Sequence, residues 1–135
     1  MYTMDIDVSL YRALANGAAR VSASSPALYY KGKAFSYGTL LRSIDRLAAG
    51  LVRLGVRSGD AVTICMPNTP ESVCALYAVN KIGAVAHLVH PLAPQKQLAR
   101  FMEKVSSVLL ITLNINLRQY APLAAQLKLR IVSAS

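Results

Sequence analysis

Two histidines (His87 and His90), two cysteines (Cys65 and Cys74) and two carboxylates (Asp60 and Glu71) are the side chains through which this sequence could do chemistry. Imidazole and thiolate are common metal ligands. His87 and His90 stand three apart around a strand end, so the two-residue period of a strand sends them to opposite faces and argues against a shared metal. His87 reads as a core residue with a satisfied ring. His90, at the strand's carboxyl end, sits where a ligand contact is open to it. Cys65 and Cys74 lie inside apolar segments without metal-ligand spacing, and read as free buried thiols of a reducing cytosol. Asp60 follows Gly59 and precedes a strand, where a carboxylate bonds its own turn. Glu71 belongs to the first turn of a helix, where negative charge suits the positive end. No Ser-His-Asp or Cys-His arrangement assembles from local signatures. The residues therefore nominate no catalytic group, no cofactor-binding group and no metal ligand.

Nucleotide loops are missing too. A dinucleotide fold places G-x-G-x-x-G after its first strand so that backbone amides approach a pyrophosphate. Here that position reads Met66-Pro67-Asn68-Thr69-Pro70-Glu71, with no glycine. A P-loop needs G-x-x-x-x-G-K-[ST], and the only Gly-Lys pair, Gly32-Lys33, falls in a hairpin. Fifteen Lys and Arg against six Asp and Glu give a net charge of +9, which raises nucleic acid as a partner. The basic residues are scattered, only Arg42, Arg46 and Arg53 form a stripe at helical spacing, and no aromatic residues interleave with them. That pattern reads as a solvated positive surface without a nucleic-acid partner.

The elements that must position these groups follow from apolar spacing. The 135 residues are 54% hydrophobic and 16% charged, against about 25% charged in an ordinary soluble domain. Disordered tails are poor in apolar residues, so that class is excluded. The most apolar stretch, Ile82–Leu92, is interrupted by His87, His90 and Pro91, and a membrane span needs about 20 residues. The opening residues, Met1–Asp7, carry two aspartates and lack the basic-then-apolar pattern of a signal peptide. With the free thiols, this places the expected location in the cytoplasm.

Asp7–Val21 reads as an amphipathic helix capped by Asp7 or Ser9. Ala27–Tyr30 and Ala34–Ser36 form a hairpin around Gly32. Ser36 opens the clearest helix, with Leu40, Leu41, Ile44, Leu47, Ala48, Leu51 and Leu54 on one side and Gly55 as its left-handed stop. Ala61–Met66, Val85–Val89, Val108–Leu113 and Arg130–Ser133 are short apolar runs without alternation, the signature of strands buried on both faces. Helices alternate with them: about Pro70–Ile82, apolar nearly all round; Gln95–Val105, with Leu98, Phe101, Met102 and Val105 inward; and one within Leu117–Leu127, where Pro122 argues against a start at Leu117. Strand–helix alternation requires a parallel sheet with right-handed crossovers. The expected fold is a single α/β domain, a doubly wound, mostly parallel sheet with helices on both faces and a small N-terminal β-hairpin.

Four pieces, in order, resemble one family. They are Phe35-Ser36-Tyr37-Gly38-Thr39-Leu40, Gly55-Val56-Arg57-Ser58-Gly59-Asp60-Ala61-Val62, Met66-Pro67-Asn68-Thr69-Pro70-Glu71, and Lys81-Ile82-Gly83-Ala84-Val85 running to His90-Pro91. Together they are similar to the beginning of the adenylate-forming (AMP-binding) superfamily of acyl- and aryl-CoA synthetases, peptide-synthetase adenylation domains and luciferases. The first piece resembles a capping box in which Ser36 keeps the cap and Thr39 stands where the family usually has glutamate. His90 stands where the family usually has asparagine.

The resemblance implies an N-terminal portion of the large domain of a longer enzyme. Such an enzyme activates a carboxylic acid with ATP and Mg²⁺ to an acyl-adenylate. It then passes the acyl group to a thiol, of coenzyme A or a carrier protein. The family's phosphate loop, glutamate motif, ribose aspartate and mobile-domain lysine have no counterpart here, so no catalytic residue transfers. These residues alone are expected to be inactive, to hold no cofactor, and to self-associate through apolar surface and a strand edge left uncovered. The alternative is a stand-alone flavodoxin-like domain that binds a small ligand or partner at its strand ends.

Overall fold

The computed structural model describes residues 8–113, 117–127 and 130–134. Helix α1 (Leu10–Ala18) is capped by Ser9, whose hydroxyl accepts from Arg12 N. The helix is shorter than the apolar spacing suggests, because Val21 lies exposed past its end. The other candidate cap, Asp7, lies outside the described residues. Strands β1 (Pro26–Tyr30) and β2 (Lys33–Ser36) form the antiparallel hairpin. Its two-residue turn puts Lys31 at φ 49° and Gly32 at φ 76°, the mirror-image turn that matches strand twist.

Helix α2 (Tyr37–Arg53) starts at Ser36, whose hydroxyl accepts from Thr39 N and donates to Thr39 Oγ1. Gly55, at φ 93°, ends it in the left-handed conformation. Strand β3 (Ala61–Ile64) leads to α3 (Pro70–Lys81), β4 (Val85–Leu88), α4 (Gln95–Lys104), β5 (Leu109–Leu113), α5 (Leu117–Leu127) and β6 (Arg130–Ala134). The four strands β3 to β6 make one parallel sheet in the order β4-β3-β5-β6.

Two cores lie on opposite faces of this sheet. On one face Val62, Ile64, Leu109 and Ile111 pack with Ile44, Ala48 and Leu51 of α2 and Ala75, Ala78 and Val79 of α3. On the other, Cys65 and Leu110 pack with Leu98 and Met102 of α4 and Tyr120 and Leu123 of α5. The doubly wound arrangement read from the sequence is the observed one. Helix α3 is clamped between the sheet, α2 and α1, with Tyr11 N donating to Asn80 Oδ1 at 2.8 Å. An all-round apolar surface suits that position.

Three expectations need correction. Strand β4 is not buried: it is the edge of the sheet, and Val85 and Leu88 are 54% and 61% exposed. An apolar run cannot by itself tell an edge from a centre. Val105 falls past the end of α4 and is partly exposed rather than inward. Helix α5 starts at Leu117 and runs through Pro122. Proline deletes one ladder bond there, while burial of Tyr120 and Leu123 on either side of it holds the helix to the sheet.

Candidate functional site

In a sheet of this order, the chain leaves β3 toward one face and β5 toward the other, so a ligand crevice would open between their carboxyl ends. The protein closes that position with its own groups. Cys65 N donates to Ile111 O at 3.0 Å, and Thr112 Oγ1 donates to Cys65 O at 3.0 Å. Both residues are fully buried. The Cys65 thiol lies 3.6 Å from the Tyr120 hydroxyl and 3.7 Å from His90 O.

After β3 the chain turns through Met66-Pro67-Asn68 into α3. Thr69 and Ser72 then close a reciprocal capping box: Ser72 N donates to Thr69 Oγ1 at 3.2 Å, and Thr69 N to Ser72 Oγ at 3.0 Å. The helix-end donors that could cradle a phosphate are thus partly spent internally, and Glu71 adds negative charge in the same turn. The described residues include no group of three His, Cys, Asp or Glu side chains able to share a metal ion. Among the described residues, the turn from β3 into α3 offers a phosphate only the donors its capping box leaves over, and no metal-binding cluster lies beside it.

The two histidines line a common hollow of about 520 Å³ on the α4 side of β4, with Leu88, Leu92, Gln97 and Phe101. The strand ends at Leu88, so strict alternation no longer applies by His90. His87 is half-buried, with Nδ1 2.9 Å from Thr63 Oγ1. Burial lowers its pKa and keeps the ring neutral. His90 is exposed, and its Nδ1 accepts from Leu92 N at 3.1 Å. The imidazole does here what an asparagine carboxamide does in an Asx turn, so the turn before Pro91 keeps a side-chain acceptor.

Asp60 accepts from Arg57 N at 2.8 Å and closes its own turn, as the sequence suggests. Cys65 is buried and Cys74 half-buried, both as free thiols. Burial pushes both thiols up in pKa, helped at Cys74 by Glu71, so neither is an activated nucleophile. Sequence reasoning missed Thr63 and Ser107, two buried hydroxyls that join His87. Thr63 was visible as a hydroxyl inside an apolar strand, but its partner Ser107 lies 44 residues away.

A match to the family described as AMP-binding enzyme covers residues 15–134. The chain belongs to that family. It is 32% identical over 122 residues to acetyl-coenzyme A synthetase of Deinococcus radiodurans, covering 87% of this chain and 19% of that protein. It is 33% identical over 81 residues to 4-coumarate–CoA ligase 4 of Arabidopsis thaliana, covering 60% of this chain and 14% of that enzyme. The chain therefore spans under a fifth of the length of these relatives. In structure it resembles the N-terminal subdomain of Klebsiella oxytoca NpsA, solved in complex with 3-hydroxyanthranilyl-AMSN, at a TM-score of 0.77 and 21% identity over 93% of this chain and 29% of that one.

Membership explains why the distinctive residues sit where chains meet. Gly59 N donates to Gly83 O at 2.9 Å, tying the turn before β3 to the turn before β4. Ser36 and Thr69 cap the two helices of one core. In this AMP-binding segment those contacts fix turns and helix starts within the four pieces. Among the described residues, no helix is long and apolar enough to cross a membrane.

Proposed function

We propose that this segment is the N-terminal portion of an AMP-forming acid–thiol ligase, of the acyl-CoA synthetase type. In this reading it supplies a portion of a large-domain framework, and residues outside these 135 supply the chemistry. A carboxylic acid is joined to AMP with release of pyrophosphate, and the acyl group then passes to coenzyme A or a carrier thiol. The observation that carries the reading is the family match across nearly the whole chain, paired with a β3–α3 turn whose donors are partly taken up by its own capping box. The names of the relatives, a CoA synthetase and a CoA ligase, support the thiol acceptor.

The test is ATP–pyrophosphate exchange by the purified 135-residue chain across a panel of aliphatic, aromatic and amino acids. The reading predicts exchange no faster than buffer for every acid. Acid-dependent exchange would overturn it, because the active site would then lie within these residues.

A further inference from the structure

Among the described residues, strand β4 pairs with one neighbour, β3. Val85 N donates to Asp60 O at 2.7 Å and Val89 N to Ile64 O at 3.0 Å, so both residues turn their backbone toward β3. The two-residue period of a strand turns Ala86 and Leu88 the other way. Their N–H and C=O groups therefore line the open edge, about 6.6 Å from one residue to the next. Edges that face water are guarded by lysine, proline or a bulge. This one has none of them: it reads Val-Ala-His-Leu, in unbroken register with β3. Val85 and Leu88 are 54% and 61% exposed, and Leu92, just past the strand, is 85% exposed. The edge is bare in backbone and in side chains alike.

We infer that a β-strand from the remaining polypeptide of the same enzyme adds to β4 and carries the sheet past this edge. The inference rests on the reading above, that these residues are part of a longer ligase. The chain covers 19% of acetyl-coenzyme A synthetase of Deinococcus radiodurans, so an enzyme of that length has ample chain to supply the strand. A strand meets everything the edge puts on show. Its backbone offers donors and acceptors at the spacing of Ala86 and Leu88. A helix has spent those groups on itself, and a small apolar molecule leaves the outward amides unpaired. The added strand is apolar on both faces. On the α4 side it covers Val85 and helps to fill the hollow of about 520 Å³ beside Phe101. On the α3 side it continues the surface that Ala86 shares with the α2–α3 core.

The test is amide hydrogen exchange, read at single residues, in the enzyme expressed from its complete reading frame and in the 135-residue chain. Both are kept at dilutions where light scattering shows monomer. Val85 and Val89, bonded to β3 in both proteins, are the internal standards. Ala86 and Leu88 should exchange about a hundredfold more slowly in the complete enzyme than in the short chain. Ala86→Pro removes one outward donor and leaves the bonds of Val85 and Val89 in place. In the complete enzyme it should bring Leu88 to within about tenfold of its rate in the short chain. Val85→Lys, which charges the edge and keeps its backbone, is the second variant and should act in the same direction. A frame that stops at Ser135 would defeat the ligase reading itself. A longer enzyme in which Ala86 and Leu88 exchange as fast as in the short chain would overturn this inference alone. Protection that grows with protein concentration would overturn it in favour of a second copy, and protection lost on exhaustive dialysis in favour of a small molecule.

Discussion

Gly83 is the point where two of the framework pieces touch, and replacing it with alanine gives a quantity that can be worked out beforehand. Its φ is +77°, a left-handed conformation that costs an L-residue about 1–2 kcal/mol. Alanine also restricts the unfolded chain, returning about 0.4–1 kcal/mol. A Cβ at Gly83 would meet Ser58 Oγ at 2.7 Å and Ser58 Cβ at 3.3 Å. Ser58 would have to swing away and give up its 3.3 Å bond to Gly83 O. Overpacking of this kind costs about 1–3 kcal/mol. The sum for Gly83→Ala is about 1–4.5 kcal/mol, centred near 3 kcal/mol, or roughly 9–12 °C in Tm at that centre for this chain length.

Gly59 is the internal control. Its φ is +87° but nothing lies within 4 Å of its missing Cβ, so Gly59→Ala should cost only about 1 kcal/mol. The double variant Ser58→Ala/Gly83→Ala should recover about 1 kcal/mol relative to the sum of the singles, because the crowding atom is gone. Urea unfolding of the parent, the three single variants Ser58→Ala, Gly59→Ala and Gly83→Ala, and the double variant reads all of this. Equal costs at Gly83 and Gly59, or no recovery in the double variant, would refute the idea that the two pieces are held together at this contact.

Other outcomes follow from single contacts. Thr69→Ala opens the capping box of α3 and should cost about 1 kcal/mol in urea unfolding. His90→Asn should leave stability unchanged, while His90→Ala should lose about 0.5–1 kcal/mol with the turn acceptor. Burial first, and Cys65 second, push the Tyr120 phenol up to about 12. Its contribution to stability is therefore complete below its ordinary value of 10.0 and lost as pH rises from there toward about 12; a Tyr120→Phe chain should lose this segment of the alkaline stability profile. Strand β4 carries no charged residue or proline to guard its exposed edge. The chain should associate at high concentration, and Val85→Lys should restore a monomer in light scattering.

Much of this fold was legible because its signals are local. Ser36, Gly55, Pro70 and Gly83 punctuate elements by backbone chemistry alone, and the apolar runs between them set strand and helix lengths. What could not be read depends on neighbours distant in sequence. Val85 and Leu88 look like core residues until the strand order puts β4 on the edge. Pro122 reads as a helix breaker until the burial of Tyr120 and Leu123 on its flanks is seen. The Thr63–Ser107–His87 chain joins three elements, and no spacing rule connects them.

The central claim is that these residues are framework for a carboxylate-activating enzyme whose reactive groups lie elsewhere in the polypeptide. Sequencing the native reading frame past Ser135 tests it most directly. The account predicts an uninterrupted frame that reaches a Ser/Thr/Gly-rich loop ending in lysine, the phosphate cradle usual in the family. A native stop codon directly after Ser135 would contradict it.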